Sequence, residues 1–350
     1  MQRRDLATAF GAVTLTLLLG ACGTTDADTQ TADAGAETTA PGADATSGAS
    51  ELEGCEDVET STGPVSLTDS YGRQVELDAP AERVAVLEWQ QTEDVLTLCV
   101  TPVAVADTAG YSLWNSAVEL PDGVEDVGGR SEPNLDALYA TDPDLIIVEA
   151  YTPTDEIIAT LESRGVPVLA TKGADAADPV GSMLGTFELI AEAVGRQGRA
   201  AEVRTEFEEH LAAGKAAVAD VEQRDFVYLD GWIQGGNVAL RPFGQGSLMG
   251  ELGEALGMRN AWTGEVDEAY GLGQTDIEGM LAVGDATFFY TGTDDPENDV
   301  VAELQKNGIW TGLPAVAEGR AHAFPPGVWT FGGPRSAMQV IDAYVDILTS

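Results

Sequence analysis

"NLDALYATDPDLIIVEAYTPTDEIIATLESRGVPVLAT", residues 134–171, decides the fold. Asn134 is a natural N-cap for the short helical segment that follows it, because its side-chain oxygen can accept from the first free amides. "DLIIVEA" (144–150) is an almost unbroken apolar run, the kind of strand buried on both faces of a parallel sheet. "TDEIIATLESRG" has helical spacing and ends at Gly165; "VPVLAT" (166–171) is the next strand. Helix, strand, helix and strand joined by short links are βα units, which make a parallel sheet covered by helices.

The same grammar extends in both directions. Upstream, "RVAVL" (83–87) and "PVAVA" (102–106) are strands flanking a helical "QTEDVLTLC" (91–99). Downstream the strands stop, and from Pro179 to about Val221 the text is helical. "PVGSMLGTFELIAEAVG" carries Pro179 where a first helical turn tolerates it and would be roughly 25 Å long, a stiff link rather than a hinge. Then the scheme repeats. "DFVYLDGW", "NVALRPF", "DATFFYTG" and "RAHAFP" are strand-like, "SLMGELGEALG" is a helix capped by Ser247, and "PRSAMQVIDAYVDILTS" is a terminal amphipathic helix. The expected fold is α/β: two lobes, each a mostly parallel sheet flanked by helices, joined by a single long backbone helix. The boundaries are 64–178 for the N-terminal lobe, 179–196 for the connecting helix and 197–350 for the C-terminal lobe.

What precedes residue 64 cannot build a core. Arg3 and Arg4 lead into an apolar run from Leu6 to Leu19, too short for an ordinary membrane span and typical of a signal peptide, here residues 1–21. The run ends in "LGAC", which resembles a bacterial lipobox and makes Cys22 the expected lipidated residue. "RRDL" also resembles a twin-arginine export signal, so the export route stays open. Residues 22–63, rich in Thr, Ala, Asp, Gly and Ser, are expected to form a disordered tether spanning roughly 35 Å. The body is thus expected at the extracytoplasmic face of the cell membrane, held by lipid. Cys55 and Cys99 remain; in an oxidising exterior they can pair and pin the end of the tether, or stay apart as thiols.

Charge and residue inventory exclude several classes. With 17 Lys plus Arg against 59 Asp plus Glu, the net charge is −42, which repels phosphate backbones and argues against nucleic acid. Such a surface suits either high salt or ordinary export. There is no GxSxG elbow, P-loop or strand-borne GxGxxG. Two histidines, His210 in a helix and His322 in a short strand, cannot make a multi-histidine metal site, and no zinc-type cysteine spacing occurs. An enzyme is not expected. Aromatic residues in loop-like positions are the notable feature: Tyr111 and Trp114 in "YSLWNS", Tyr151 and Trp232 just past strands, Tyr270 before a helix, Trp329 and Phe331 in "GVWTFGGP". Singly each could fill a core. Together, at strand ends of two lobes, they suggest a pocket, because open α/β sheets bind ligands outside the carboxyl ends of their strands.

"YSLWNSAVELPDGVEDVGGRSEPNLDAL", "FGQGSLMGELGEALGMRNAWTGE" and "IWTGLPAVAEGRAHAFPPGVWTFGGPRSAMQVID" carry a resemblance. From about residue 64 onward the chain resembles the substrate-binding lipoproteins of bacterial iron–siderophore ABC importers, those for ferric hydroxamates in particular. The resemblance implies a monomeric receptor without cofactor, whose iron arrives held by the siderophore and which delivers it to an ABC permease. It implies that Arg130, in the "R-x-E-P-N-L" turn, and Tyr151 reach the hydroxamate oxygens. Trp114, Trp329, Tyr270 (in place of another tryptophan), Phe331 (in place of a tyrosine) and Trp232 (in place of an aliphatic contact) are the implied pocket walls. Asp136 and Glu278, one acid per lobe, are implied to dock the permease; on local grounds alone, acids at helix starts serve the helix dipole. For Arg130 the competing role is an ion pair with Glu132 or a nearby acid. On the same scaffold a haem, corrinoid or ferric-catecholate receptor is the alternative: Tyr151 could be a haem ligand, and Arg130, Arg241 and Arg335 are the cations a catecholate could use.

Overall fold

The computed structural model describes residues 54–222, 225–234, 237–294 and 299–350. Signal peptide, Cys22 and most of the expected tether lie outside the described residues. The chain enters through a hairpin, β1 (Val65–Thr68) and β2 (Gln74–Leu77), whose alternate residues are buried. This hairpin was not among the expected strands. β3 (Val84–Val86), α1 (Trp89–Thr97), β4 (Ala104–Val105), α2 (Thr108–Trp114), β5 (Glu125–Asp126), α3 (Leu135–Ala140), β6 (Leu145–Glu149), α4 (Glu156–Glu162) and β7 (Val168–Thr171) follow. The sheet is parallel throughout, in the order β5-β4-β3-β6-β7.

Successive side chains of these strands supply two cores. Val84, Val86, Leu145 and Ile147 face α1 and the β1–β2 hairpin. Ala85, Ile146 and Val148 face the other way, onto Leu138 of α3 and Ile158 and Leu161 of α4. Burial on both faces is why these strands read as continuous apolar runs.

α5 (Pro179–Ala193) and α6 (Gln197–Ala217) come next. Met183 and Leu184, near the start of α5, belong to the C-terminal core, whereas Phe187, Ile190, Ala191 and Ala193 belong to the N-terminal core. α6 returns across the same boundary: Ala200 and Val203 pack in the N-terminal core and Phe207 in the C-terminal one. Two helices therefore tie the lobes.

The C-terminal lobe contains β8 (Asp225–Gln234), β9 (Asn237–Phe243), α7 (Leu248–Ala255), β10 (Arg259–Asn260), a 3₁₀ turn (Glu278–Val283), β11 (Thr287–Tyr290), α8 (Val300–Leu304), α9 (Gly308–Gly312), α10 (Pro314–Ala317), β12 (Ala321–Ala323) and α11 (Pro334–Thr349). Parallel strands run β10-β8-β11-β12, and β9 folds back antiparallel on β8. Phe226, Tyr228, Phe289, Phe324 and Tyr344 stack edge to face in one core.

The lobes also meet directly. Glu93 of α1 accepts from the backbone amide (2.9 Å) and hydroxyl (2.5 Å) of Ser336 at the start of α11, and from Asn115 Nδ2 (2.8 Å). The Ser116 amide donates to the Gly327 carbonyl at 2.8 Å. At the rear of the N-terminal lobe a disulfide joins Cys55 to Cys99, with 5.5 Å between Cα atoms. Arg196 donates to the Val58 carbonyl (2.7 Å) and Ser61 to the Gly195 carbonyl (2.8 Å), so residues 55–61, expected as tether, lie against the fold.

Candidate functional site

Arg130 sits in the turn between β5 and α3. Gly128, at φ 90°, takes a left-handed conformation that other residues adopt at a cost, and bridges to Pro133. Asn134 then caps α3, accepting from the amides of Asp136 (3.1 Å) and Ala137 (3.2 Å). The turn aims Arg130 back across the sheet. Its Nη1 lies 2.5 Å from Glu88 Oε1, and its guanidinium carbon stands 3.8 Å above the Trp89 ring. The acid partner is thus Glu88, at the carboxyl end of β3, and not Glu132.

From Trp89 a chain of rings crosses between the lobes. Trp89 meets Trp329 at 4.9 Å, Trp329 meets Phe331 at 5.4 Å, and Phe331 meets Tyr270 at 5.7 Å. Tyr270 Oη closes the crossing by donating to Glu149 Oε1 at 2.5 Å. Gly173 makes room for this contact, since a Cβ there would stand 1.9 Å from Tyr270 Oη. Burial, reinforced by nearby Glu88, pushes the Glu149 carboxyl up to about 7. Burial and then Glu149 raise Tyr270 and Tyr151 above the ordinary phenol range.

A cavity of about 430 Å³ opens beside the ring chain, walled by Trp89, Trp114 and Arg130 from one lobe and by Trp232, Arg241 and Trp329 among residues from the other. That volume is in the range of small-molecule sites. Trp329 Nε1, among the described residues, has no hydrogen-bond partner. Arg241 is gripped by Asp230 through Nε (2.8 Å) and Nη2, and stacks over Phe243 and Phe331. Burial raises the Asp230 carboxyl, against the lowering influence of Arg241. Arg335 faces elsewhere and pairs with Glu206 at 2.7 Å.

Of the expected pocket residues, Arg130, Trp114, Trp232 and Trp329 line this cavity. Tyr151 and Tyr270 line a second cavity of about 260 Å³, with Tyr71 and Lys172; Tyr151 is 77% exposed. Phe331 stands behind the wall, as a link in the ring chain. Three placements differ from expectation. Tyr111 is fully buried in α2, its hydroxyl donating to the Val118 carbonyl at 2.7 Å, so it is core. Trp114 ends that helix rather than lying in a loop. Trp232 is inside β8, because the β8–β9 hairpin runs on past the parallel sheet. Asp136 and Glu278 both lie outside the cleft, exposed; Asp136 pairs with Arg164 at 2.9 Å, and Glu278 opens a 3₁₀ turn rather than an α-helix. Glu88, Trp89 and Glu149 are site residues that the sequence reading passed over. Their signal was position: each stands at or just beyond the carboxyl end of a parallel strand.

Two α/β lobes bridged by paired helices enclose a cavity walled from both sides, of the size that small-molecule sites take. The chain belongs to the periplasmic binding protein family, whose model matches residues 84–326. Among curated proteins it is similar to the iron(3+)-hydroxamate-binding protein FhuD of Escherichia coli, 29% identical over 260 residues, covering 74% of this chain and 84% of that protein. It is also similar to the Fe(3+)-citrate-binding protein YfmC of Bacillus subtilis, 27% identical over 278 residues, covering 77% and 82%. Among solved structures it matches the Fe3+–Desferal-bound siderophore binding protein FhuD of Vibrio cholerae with a TM-score of 0.66 and 25% identity, covering 77% of this chain and 98% of that one.

Proposed function

We propose that this chain is the extracytoplasmic receptor of an ABC importer, binding a ferric siderophore, hydroxamate type preferred, in the interlobe cavity and handing it to a permease. The observation that carries this is Arg130: a guanidinium fixed by Glu88 and Trp89 at the wall of a cavity that also presents tryptophans from both lobes. Hydroxamate oxygens on ferric iron keep partial negative charge. Arg130 has donors left over for them after its bond to Glu88. The tryptophans accept the apolar scaffold. Tyr151, exposed at the neighbouring cavity, reaches the ligand from the mouth. The names of the Escherichia and Vibrio relatives support the hydroxamate assignment.

Cys22 carries the lipid, the expected tether of residues 22–63 is shortened to the part ahead of Cys55 because residues 55–61 lie against the fold, and Asp136 and Glu278 meet basic residues of the permease. The receptor works as a monomer and performs no chemistry. Tryptophan fluorescence of the purified protein, titrated in parallel with a ferric trihydroxamate, haem and a ferric catecholate, tests this. Saturable quenching by the trihydroxamate at micromolar or lower concentration, lost in Arg130→Ala, is the expected result. A tight response to haem alone would reassign the ligand.

A further inference from the structure

Neither guanidinium of the main cavity faces it unaccompanied. Arg130 is held by Glu88 at 2.5 Å, and Arg241 by both oxygens of Asp230. Glu149 lies behind the first pair, within electrostatic reach of Glu88 and Arg130, and its hydroxyl partner Tyr270 brings no charge. The wall itself carries Arg130, Arg241 and Asp230, with Glu88 against Arg130 and Glu149 behind it, so two cations are matched by three carboxyl groups. At the neighbouring cavity Lys172 is likewise matched by Asp175 at 3.7 Å, with Glu268 beside them. A body of net charge −42 surrounds all of this.

We propose that Glu88 is a charge-selecting residue that restricts the cavity to ferric complexes of zero or positive net charge; this rests on the ferric-siderophore assignment and deepens it. Three hydroxamates neutralise ferric iron, so such a complex can accept hydrogen bonds from Arg130 while the Glu88–Arg130 pair stays whole. A pendant ammonium on the scaffold would gain from the carboxylate of Glu88, which stands against Arg130 at the cavity. A ferric tris-catecholate carries three negative charges. It must either sit against Glu88 or take Arg130 from it, leaving a half-buried carboxylate without its partner. In a partly desolvated cleft, where charge interactions exceed their strength in water, that difference is read as affinity.

Calorimetric titration of the full chain with three probes tests this: a ferric trihydroxamate bearing one pendant ammonium, its N-acetylated neutral form, and a trianionic ferric tris-catecholate. The wild-type protein is expected to bind them in that order, with at least about tenfold between the neutral complex and the trianion. Glu88→Gln, which keeps shape and can still accept at the start of α1, is expected to narrow that gap about tenfold. Glu132→Gln removes the same charge from the Arg130 turn without touching the pair, and is expected to change the ranking less than about twofold. Charge-blind wild-type affinities, or a ranking that Glu88→Gln leaves intact, would overturn charge selection while leaving the receptor assignment standing. Binding of none of the probes by wild type would overturn both. Should Glu88→Gln fail to fold by circular dichroism, the wild-type charge series decides alone.

Discussion

The two lobes answer one problem by different means. Each must bring a guanidinium to the cleft with a carboxylate to hold it. The N-terminal lobe does so with loops: Glu88 follows β3, Arg130 follows β5, and both project from the carboxyl ends of parallel strands. The C-terminal lobe uses an antiparallel extension, with Asp230 and Arg241 paired directly across the β8–β9 ladder. A ladder pair is rigid and self-contained. A pair made of two turns depends on everything that positions the turns. On the proposed reading, the N-terminal lobe therefore holds the reader, set in place by its turns, and the C-terminal lobe a fixed wall.

The strongest way to break this comparison is through the helix both lobes share. Phe187→Ala empties the N-terminal core at α5 and should cost about 3–5 kcal/mol. Because α5 and α6 both enter both cores, calorimetry should still show one cooperative transition; two separate transitions would show the lobes to be energetically independent. Next is pH. Glu149 is ordinary, near 4.5, when unfolded, and about 7 when folded. Between those values the native chain holds a proton that the unfolded chain has lost, so stability should fall as pH rises through the window. The fall is at most on the order of 3 kcal/mol. Glu149→Gln should flatten that slope in urea melts at a series of pH values; an unchanged slope would place the titrating group elsewhere. Asp230, clamped by a fork rather than a phenol, offers the control.

Smaller effects sharpen the contrast in binding. Arg130→Ala should weaken a ferric trihydroxamate about 100-fold, the scale of losing hydrogen bonds from a charged donor. Arg241→Ala, already committed to Asp230, should cost only about tenfold. Equal losses in the two titrations would dissolve the distinction between reader and wall. Trp232→Ala, at the rim, should cost least, on the order of threefold, read as a faster off-rate in stopped-flow fluorescence.

The same difference explains what could be read from the sequence. Asn134 and Ser247 as caps, the apolar strands around 84–86 and 145–149, and the stiff helix from Pro179 all follow from local rules, and the structure shows each. Arg130 was conspicuous as a lone cation after two glycines and ahead of Ser-Glu-Pro in an acid-rich chain. Its partner was not, because Glu88 lies 42 residues away and only the parallel pairing of the sheet unites them. Trp232 was misplaced because the glycines around it looked like a strand end, whereas Gly231 lies inside the ladder. Tyr111 resembled its neighbour Trp114 in the text; only the packing beneath α2 sends one inward and the other to the cavity. Strand-end logic serves a parallel sheet and fails on a hairpin that outgrows it.

The disulfide fixes where load enters the molecule. α1 starts at the cavity with Trp89 and ends at Thr97, roughly 13 Å back, and Cys99 follows it. Anything pulling on the chain ahead of Cys55 therefore acts on the back of one lobe, through a covalent hitch braced by Arg196 and Gly195. That hitch lies past the C-terminal end of α1, whereas the cavity lies at its N-terminal end. A leash attached there can drag the body without prying its jaws apart.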